Sequence, residues 1–140
     1  MTVRTGAIAL VLFAVPAFAE TPAVSAGLWE TTAHMELVGR PTPPQMAQPR
    51  TSTTCFTQEQ IDKLGQPFPL PDSKDCKMDD YTAEGSHITF TLVCPSSTIA
   101  YDATIDSPDA YHGTSNITMS VGGMRATFTA RHISDTCPSG

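Results

Sequence analysis

The chain has 140 residues, of which 16% are charged, and its formal net charge is −6 at pH 7. This length is enough for one domain with a single modest core. Because the few basic residues are scattered, the composition excludes a nucleic-acid partner, which needs a basic stripe, and disfavours binding to an anionic membrane surface.

Residues 1–19 have the pattern of a secretory signal peptide. Arg4 forms the charged start, Ile8 to Val15 form an apolar core, and "AFA" at Ala17 to Ala19 is a small-residue cleavage site. The apolar core is shorter than the roughly 20 residues that span a bilayer. We therefore expect cleavage after Ala19, no membrane insertion, and a single mature β domain, Glu20 to Gly140, in the periplasm or the medium.

The first predicted strand runs from Trp29 to Leu37, where apolar and polar residues alternate. The segment from Gly39 to Arg50 contains four prolines and is predicted to be an extended loop. Strand pairing is expected to resume at "TSTTCF". These patterns predict one half-buried strand, a long connection and a second strand.

The stretch "FTQEQIDKLG" predicts a short helix. Thr57 and Gln60 match a capping box, Phe56 and Ile61 match a hydrophobic staple, and Gly65 supplies a left-handed stop. The following "PFPLP" prevents the helix from continuing and predicts a rigid extended connector.

After Cys76 the sequence predicts a meander of strands separated by short turns. The strands are "CKMDDY", "HITFTLVC", "TIAYDATID", "AYHGTSNITMSV" and "MRATFTARHI". Each has one apolar face. The fold class predicted is mainly β: about seven antiparallel up-and-down strands that form a small barrel or a strongly curled sheet, with one short helix and two disulfides.

Four cysteines fall in the predicted mature chain, and none forms a Cys-x-x-Cys pair, which favours two disulfides over zinc. Cys76 and Cys94 are nearly equidistant from the "AEGS" turn and should face each other, while the last strand carries Cys137 away from that end. This favours 76–94, leaving Cys55 for Cys137. The pairing 55–76 with 94–137 stays open, because connectivity is not derivable from sequence.

Several stretches together resemble the uncharacterised exported bacterial family called the DUF3617 domain. They are "GLWE", the Pro-rich loop, "TTCFTQEQ", the Asp75-Cys76 pair before a hairpin, and the terminal "ARHISDTC". The resemblance covers nearly the whole mature chain. It implies no established activity. Members often carry several methionines in the Pro-rich loop, where this chain has Met46 alone.

Gly27-Leu28-Trp29 also resembles the Gly-x-Trp of the first lipocalin strand, where the ring closes the barrel base and a late arginine packs over it. Arg131 is the candidate arginine here. If the interior is not filled by side chains, the inward positions of the strands predict the following ligand-binding residues: Trp29, Met35, Phe90, Tyr101 and Phe128.

Other candidate sites have simpler interpretations. His34, His87 and His112 fall on outward positions, and no histidine pair, His132 included, has metal-ligand spacing. Asp72, Asp75, Asp79 and Asp80 lack the glycine and spacing of a calcium loop and are typical of a solvated strand edge. Met119 and Met124 lie on apolar positions, which favours core packing over copper.

Three hypotheses about function follow, and none includes an enzyme or a cofactor, since no catalytic motif occurs. The first is an exported protein that binds a small apolar or amphiphilic ligand. The alternative is a non-catalytic envelope interaction protein with a filled core, whose partner is another envelope protein. A copper-binding protein is the third.

Overall fold

The computed structural model describes residues 23–64 and 75–138. The predicted signal peptide, Gly65, "PFPLP" and Asp72 lie outside these residues. The described chain forms seven strands and two short helices, in this order: β1 Gly27–Leu37, α1 Pro44–Ala47, β2 Arg50–Phe56, α2 Gln58–Leu64, β3 Lys77–Glu84, β4 His87–Val93, β5 Ser97–Ser107, β6 Ala110–Met119 and β7 Gly122–Ser134.

The strands form one antiparallel sheet in the order β2-β1-β7-β6-β5-β4-β3. The predicted meander is therefore confirmed, but the barrel alternative is wrong, because β2 and β3 remain edges of an open sheet. One physical reason lies in β3. Its pairing is irregular between Asp79 and Thr82, Asp80 has a φ of 51°, and its acidic side chains are exposed. A bulged, charged edge is a poor partner for another strand.

The Pro-rich segment after β1 differs from the prediction of a fully extended loop. Pro44–Ala47 form one helical turn, in which the Met46 and Ala47 amides both donate to the Pro43 carbonyl, at 2.9 and 3.1 Å. Proline favours the first position of a helix because its φ is already helical and it has no N–H to satisfy there. The described part of the chain thus has two short helices, where the sequence predicted one.

The second helix begins as predicted. The Gln60 amide donates to Thr57 Oγ1 at 3.2 Å, and the Thr57 amide donates to Gln60 Oε1 at 2.9 Å. This reciprocal pair is a capping box, so that prediction is confirmed. Phe56 and Ile61 are half-buried against the core. No helix among the described residues is long and apolar enough to cross a membrane.

Alternation along the strands gives the sheet one apolar face, called the core face below, and one polar face, called the outer face. Register places the inward residues of neighbouring strands side by side, as in Ala33, Phe128 and Gly113. The core face holds most of the buried apolar side chains: Trp29, Ile88, Phe90, Leu92, Ala103, Ile105, Tyr111, Ala126, Phe128 and Ala130.

Both favoured disulfides are formed, one at each end of the sheet. Cys76 and Cys94, with Cα atoms 4.2 Å apart, join the start of β3 to the end of β4. Cys55 in β2 bonds to Cys137 in the tail after β7, with Cα atoms 5.7 Å apart. The alternative pairing is therefore wrong. Each bridge fixes an edge strand, at opposite ends of the core face.

Candidate functional site

Trp29 lies at the first strand's start and is fully buried, with 0% of its surface exposed. Its indole Nε1 donates to the Ser25 carbonyl at 2.9 Å. The ring contacts Tyr111 and His132, with ring centroids 5.1 and 5.6 Å away. The predicted burial of Trp29 is confirmed, and its one polar atom is satisfied by backbone, as a buried N–H requires.

The leading segment, Ala23–Ala26, covers the core face beside Trp29. The Ser25 amide donates to the Pro108 carbonyl at 2.8 Å, and Ser25 Oγ bonds Asp109 Oδ1 at 2.6 Å. The His132 imidazole Nε2 lies 3.0 Å from the Ala26 carbonyl oxygen. These contacts tie the leading segment to the β5–β6 turn and to β7. We call this part of the core face, around Trp29, the closed end.

Gly27 is required where the leading segment enters β1. Its φ is 129°, and a Cβ there would overlap the Ser134 carbonyl oxygen and lie 2.7 Å from His132 Nε2. Any side chain at this position would be strained by the left-handed backbone conformation. It would also overlap backbone atoms that cannot move away. This explains the glycine of the Gly-x-Trp pattern in this chain.

The expectation that Arg131 packs over Trp29 is wrong. Arg131 lies on the outer face, 69% exposed, and its Nη2 and Nε lie 2.7 and 2.8 Å from Glu30 Oε1. His132 occupies the inward position instead. Continuing the alternation of Ala126, Phe128 and Ala130 by one step already places residue 132 inside, so the sequence did hold that signal.

The structure brings three of the five predicted ligand residues together. Phe90 stacks on Tyr101 at 4.6 Å, and Tyr101 lies 6.4 Å from Phe128, between ring centroids. Tyr111 then links Phe128, at 6.3 Å, to Trp29. An unbroken row of rings thus crosses the core face. The sequence analysis did not single out Tyr111.

Met35, the remaining predicted residue, lies apart from this row of rings. It is six residues along β1 from Trp29, roughly 20 Å in an extended strand. Beyond it, Leu37, Met124, Ile117 and Ile99 stand side by side across four strands. All are only half-buried. We call the following residues the open end: Met35, Leu37, Ile99, Ile117, Met119 and Met124.

Methionine is concentrated at or beside the open end. Five methionines lie in the described residues, and all five are half-buried. Met35, Met119 and Met124 belong to the open end. Met78 pairs with Leu92, which pairs with Ile99, while Met46 lies in α1, which packs against β1. The predicted core packing of Met119 and Met124 is thus only partial.

Two exposed valines lie at the tip of the sheet beyond the open end, and Val38 is on its outer side, beside Gly123. Val121, in the β6–β7 turn, is 77% exposed, and Val38, which follows β1, is 58% exposed. They are the most exposed large apolar side chains of the described chain. Exposed apolar groups adjoining a half-buried cluster are typical of a binding surface.

The outer face is polar, and the predicted exposure of His34, His87 and His112 is confirmed. His87 Nε2 lies 2.9 Å from Asp102 Oδ1, and His112 Nδ1 lies 2.8 Å from Asp106 Oδ2. Within residues 23–64 and 75–138, no group of three or more His, Cys, Asp or Glu could hold a metal ion. Exposed pairs of this kind contribute about 0–1 kcal/mol each.

A shallow depression of about 340 Å³ lies beside these pairs. Threonines dominate its lining, which consists of Asp102, Thr104, His112, Gly113, Thr114, Thr127, Phe128 and Thr129. Gly113 has no side chain because a Cβ there would overlap the Asp102 carbonyl oxygen. Gly113 has an inward position beside Phe128 and does not shape the outer surface, so the depression lies between outward side chains of β5, β6 and β7.

These features define a disulfide-bonded antiparallel sheet whose core face is closed at one end and open at the other. The chain belongs to the family described as "Protein of unknown function (DUF3617)", which matches residues 24–137. The resemblance noted in the sequence is thereby confirmed. The match runs from Val24, buried at the closed end, to Cys137 of the closed-end disulfide. No curated protein and no solved structure matches the chain.

Gly27→Ala should destabilise the protein by about 3 kcal/mol or more, because the new Cβ combines backbone strain with steric overlap. Gly85→Ala is the matched control. Gly85 also has a positive φ, 61°, but a Cβ there meets open space, so its cost should be about 1 kcal/mol. Urea unfolding of both variants measures the difference; equal losses would show that close packing at Gly27 contributes nothing.

Stability should fall at alkaline pH because of Tyr111. Burial raises the pKa of Tyr111 to about 12, above the ordinary value of 10.0. The unfolded chain therefore loses the Tyr111 proton at lower pH than the folded chain does. The contribution of Tyr111 to the free energy of unfolding is complete below pH 10 and is lost as pH rises toward 12, at about 1.4 kcal/mol per pH unit. Urea unfolding between pH 9 and about 11.5 should show that the free energy of unfolding falls less steeply with pH in Tyr111→Phe than in the wild type. Equal slopes in the two proteins would contradict this assignment.

Proposed function

We propose that this protein is a non-catalytic, exported binding protein that holds a small apolar or amphiphilic molecule at its open end. The gradient of burial along the core face carries the proposal. Trp29, Ile88, Ala103, Ile105 and Tyr111 are at most 5% exposed, whereas Leu37, Met124, Ile117 and Ile99 are only half-buried. Apolar side chains left half-exposed in a row gain free energy when a ligand covers them.

The closed end serves a structural role in this proposal. Trp29, Ile88 and Phe90 are at most 1% exposed, so no ligand fits among them without unfolding the core. Of the predicted ligand residues, Met35 and Tyr101 are half-buried and can contact a ligand. Phe90 and Phe128 pack against Tyr101, and Trp29 fills the closed end.

The chemistry of the open end supports binding over catalysis. Its residues are methionine, leucine and isoleucine, which offer no acid, base or nucleophile. Methionine is flexible and polarisable, so it adapts to ligands of different shape and is common on promiscuous binding surfaces. A family of related amphiphiles fits this surface better than one rigid molecule.

Two disulfides support export. Each edge strand has only one neighbouring strand within the described residues, and a disulfide gives it a second attachment. The disulfides are Cys55–Cys137 for β2 and Cys76–Cys94 for β3. Such bonds persist in oxidising compartments, which agrees with the signal-peptide pattern of residues 1–19. We place the protein in the periplasm or the medium.

The methionines also favour copper(I) as a second candidate ligand. Thioethers are soft donors that select Cu(I), and Met35 and Met124 lie at diagonal positions of neighbouring strands. The alternative function, an envelope interaction protein with a filled core, requires no small ligand at all. One set of titrations separates the three.

The mature, oxidised protein should bind N-phenyl-1-naphthylamine, an uncharged apolar dye, saturably and with increased emission. Met124→Asp should weaken that binding about tenfold or more, because the bound dye would remove water from the new carboxylate, which costs free energy. Thr127→Asp, the same new charge on the outer face of β7, should leave binding unchanged. Fluorescence titration measures all three proteins.

Met124→Leu is the second variant, since it keeps the apolar volume and removes only the sulfur. It should keep dye binding; if it also loses Cu(I) affinity, measured by competition with bicinchoninate, copper is a ligand of the same surface. Absence of saturable dye binding by the wild type would overturn the proposal and favour the interaction protein with a filled core.

A further inference from the structure

We infer that the ligand is an anionic single-chain amphiphile, a fatty-acid carboxylate, whose head group binds Arg50 while its chain lies on the open end. The inference rests on the proposed function and specifies its ligand class. Three observations carry it: the excess of carboxylates at the closed end of the sheet, the position of Arg50 at the side of the open end, and the position of Arg40 at its tip.

Charge is divided between the two ends of this acidic protein. Carboxylates gather at the closed end and in the turns beside it: Glu30, Glu84, Asp106, Asp109 and Asp135. The other end also holds carboxylates, Glu36 opposite Arg125 and Asp75, Asp79 and Asp80 about Lys77, but there they are balanced by Arg40, Lys77, Arg125 and Arg50, which begins β2. An anion approaching a chain of net charge −6 is therefore repelled less by the apolar end than by the closed end.

Arg50 has the position that a head-group receptor needs. It pairs with Ala33 of β1 and so shares the inward parity of Trp29, Ala33 and Met35. Register puts it diagonal to Met35, although its own side chain is exposed. β2 begins at Arg50, so no β2 residue lies beside Met35 and Leu37; on that side the Leu37 amide donates to Thr42 Oγ1 at 2.8 Å, and α1 packs against β1. A chain lying over these residues passes the guanidinium.

Arg40 adds a second cation at the tip. Its Nη2 atom lies 3.8 Å from the place a Cβ of Gly122 would occupy. Gly122 precedes Met124 with the same inward parity, so the guanidinium is near the upper edge of the open end. Guanidinium groups bind carboxylates in paired hydrogen bonds, which neutral head groups cannot match.

The arginines at the two ends differ in whether a carboxylate pairs with them. Arg131, at the closed end, is engaged by Glu30 at 2.7 Å. Within the described residues, neither Arg40 nor Arg50 forms a salt bridge with a carboxylate. Cations beside an apolar surface, each with donors available, form the complement of an amphiphile with a carboxylate head.

The test compares three ten-carbon amphiphiles as competitors of the dye on the mature protein, each below its micellar concentration. They are decanoate, decan-1-ol and decyltrimethylammonium, which share the chain and differ in head-group charge. The inference predicts that decanoate displaces the dye most strongly and the ammonium compound least. Added salt should weaken decanoate and leave decanol unchanged.

Arg50→Gln should weaken decanoate about tenfold while leaving decanol within about twofold of the wild type, because only the charge-assisted bonds are lost. Arg125→Gln is the matched control, since it removes the same charge from the outer face of the same end and should change neither affinity. Arg50 is exposed on an edge strand, so the substitution leaves the fold intact.

Outcomes distinguish this inference from the proposed function. Dye binding with equal displacement by decanoate and decanol, or with no selective loss in Arg50→Gln, overturns the head-group assignment and leaves the apolar site standing. An equal loss in Arg50→Gln and Arg125→Gln also overturns it, since that result indicates general charge attraction. Absence of dye binding overturns both.

Discussion

Burial of the Trp29 indole is the constraint on which the rest of the structure depends. A buried N–H without an acceptor costs about 1–3 kcal/mol, and here the Ser25 carbonyl accepts it at 2.9 Å. To bring that carbonyl to the ring, the chain before β1 passes through Gly27 at a φ of 129°. The leading segment then bonds Pro108 in the β5–β6 turn and lies across one end of the core face. Because this happens at one end only, the described sheet has a filled end and a half-exposed one.

This asymmetry divides stability and binding between the two ends. Trp29, Tyr111 and the neighbouring buried residues supply apolar burial that no ligand can reach, while the Cys55–Cys137 bridge fixes β2 to the tail there. The open end has weaker burial and flexible methionines, which are suited to a surface that must be covered and uncovered reversibly. The charges follow the same division, with Glu30 holding Arg131 at the closed end and Arg50 left available beside Met35.

Much of this fold was predictable because it is encoded locally. Alternation in β4 and β7 identifies the inward residues, Thr57 caps its own helix, and the equal distance of Cys76 and Cys94 from one turn predicts their bond. The level of each residue along the sheet depends on register between strands, which no single strand encodes. Register puts Met35 on one level with Tyr101 and Phe90, but Ala126 of β7 and Ser115 of β6 lie between Met35 and Tyr101. Likewise, whether β2 and β3 meet depends on two strands far apart in the sheet.

Nuclear magnetic resonance of the mature protein, with labelled methionine methyl groups and labelled tryptophan, shows whether a ligand binds at the open end and leaves the closed end unchanged. Methyl signals report the open end, and the single indole N–H reports the closed end. On titration with decanoate, the methyl signals of Met35 and Met124 should shift saturably while the Trp29 indole N–H keeps its position and its slow exchange with water. A shift of the indole signal with the methyl signals unmoved would place the ligand at the closed end and contradict the account, as would a titration in which neither set of signals moves.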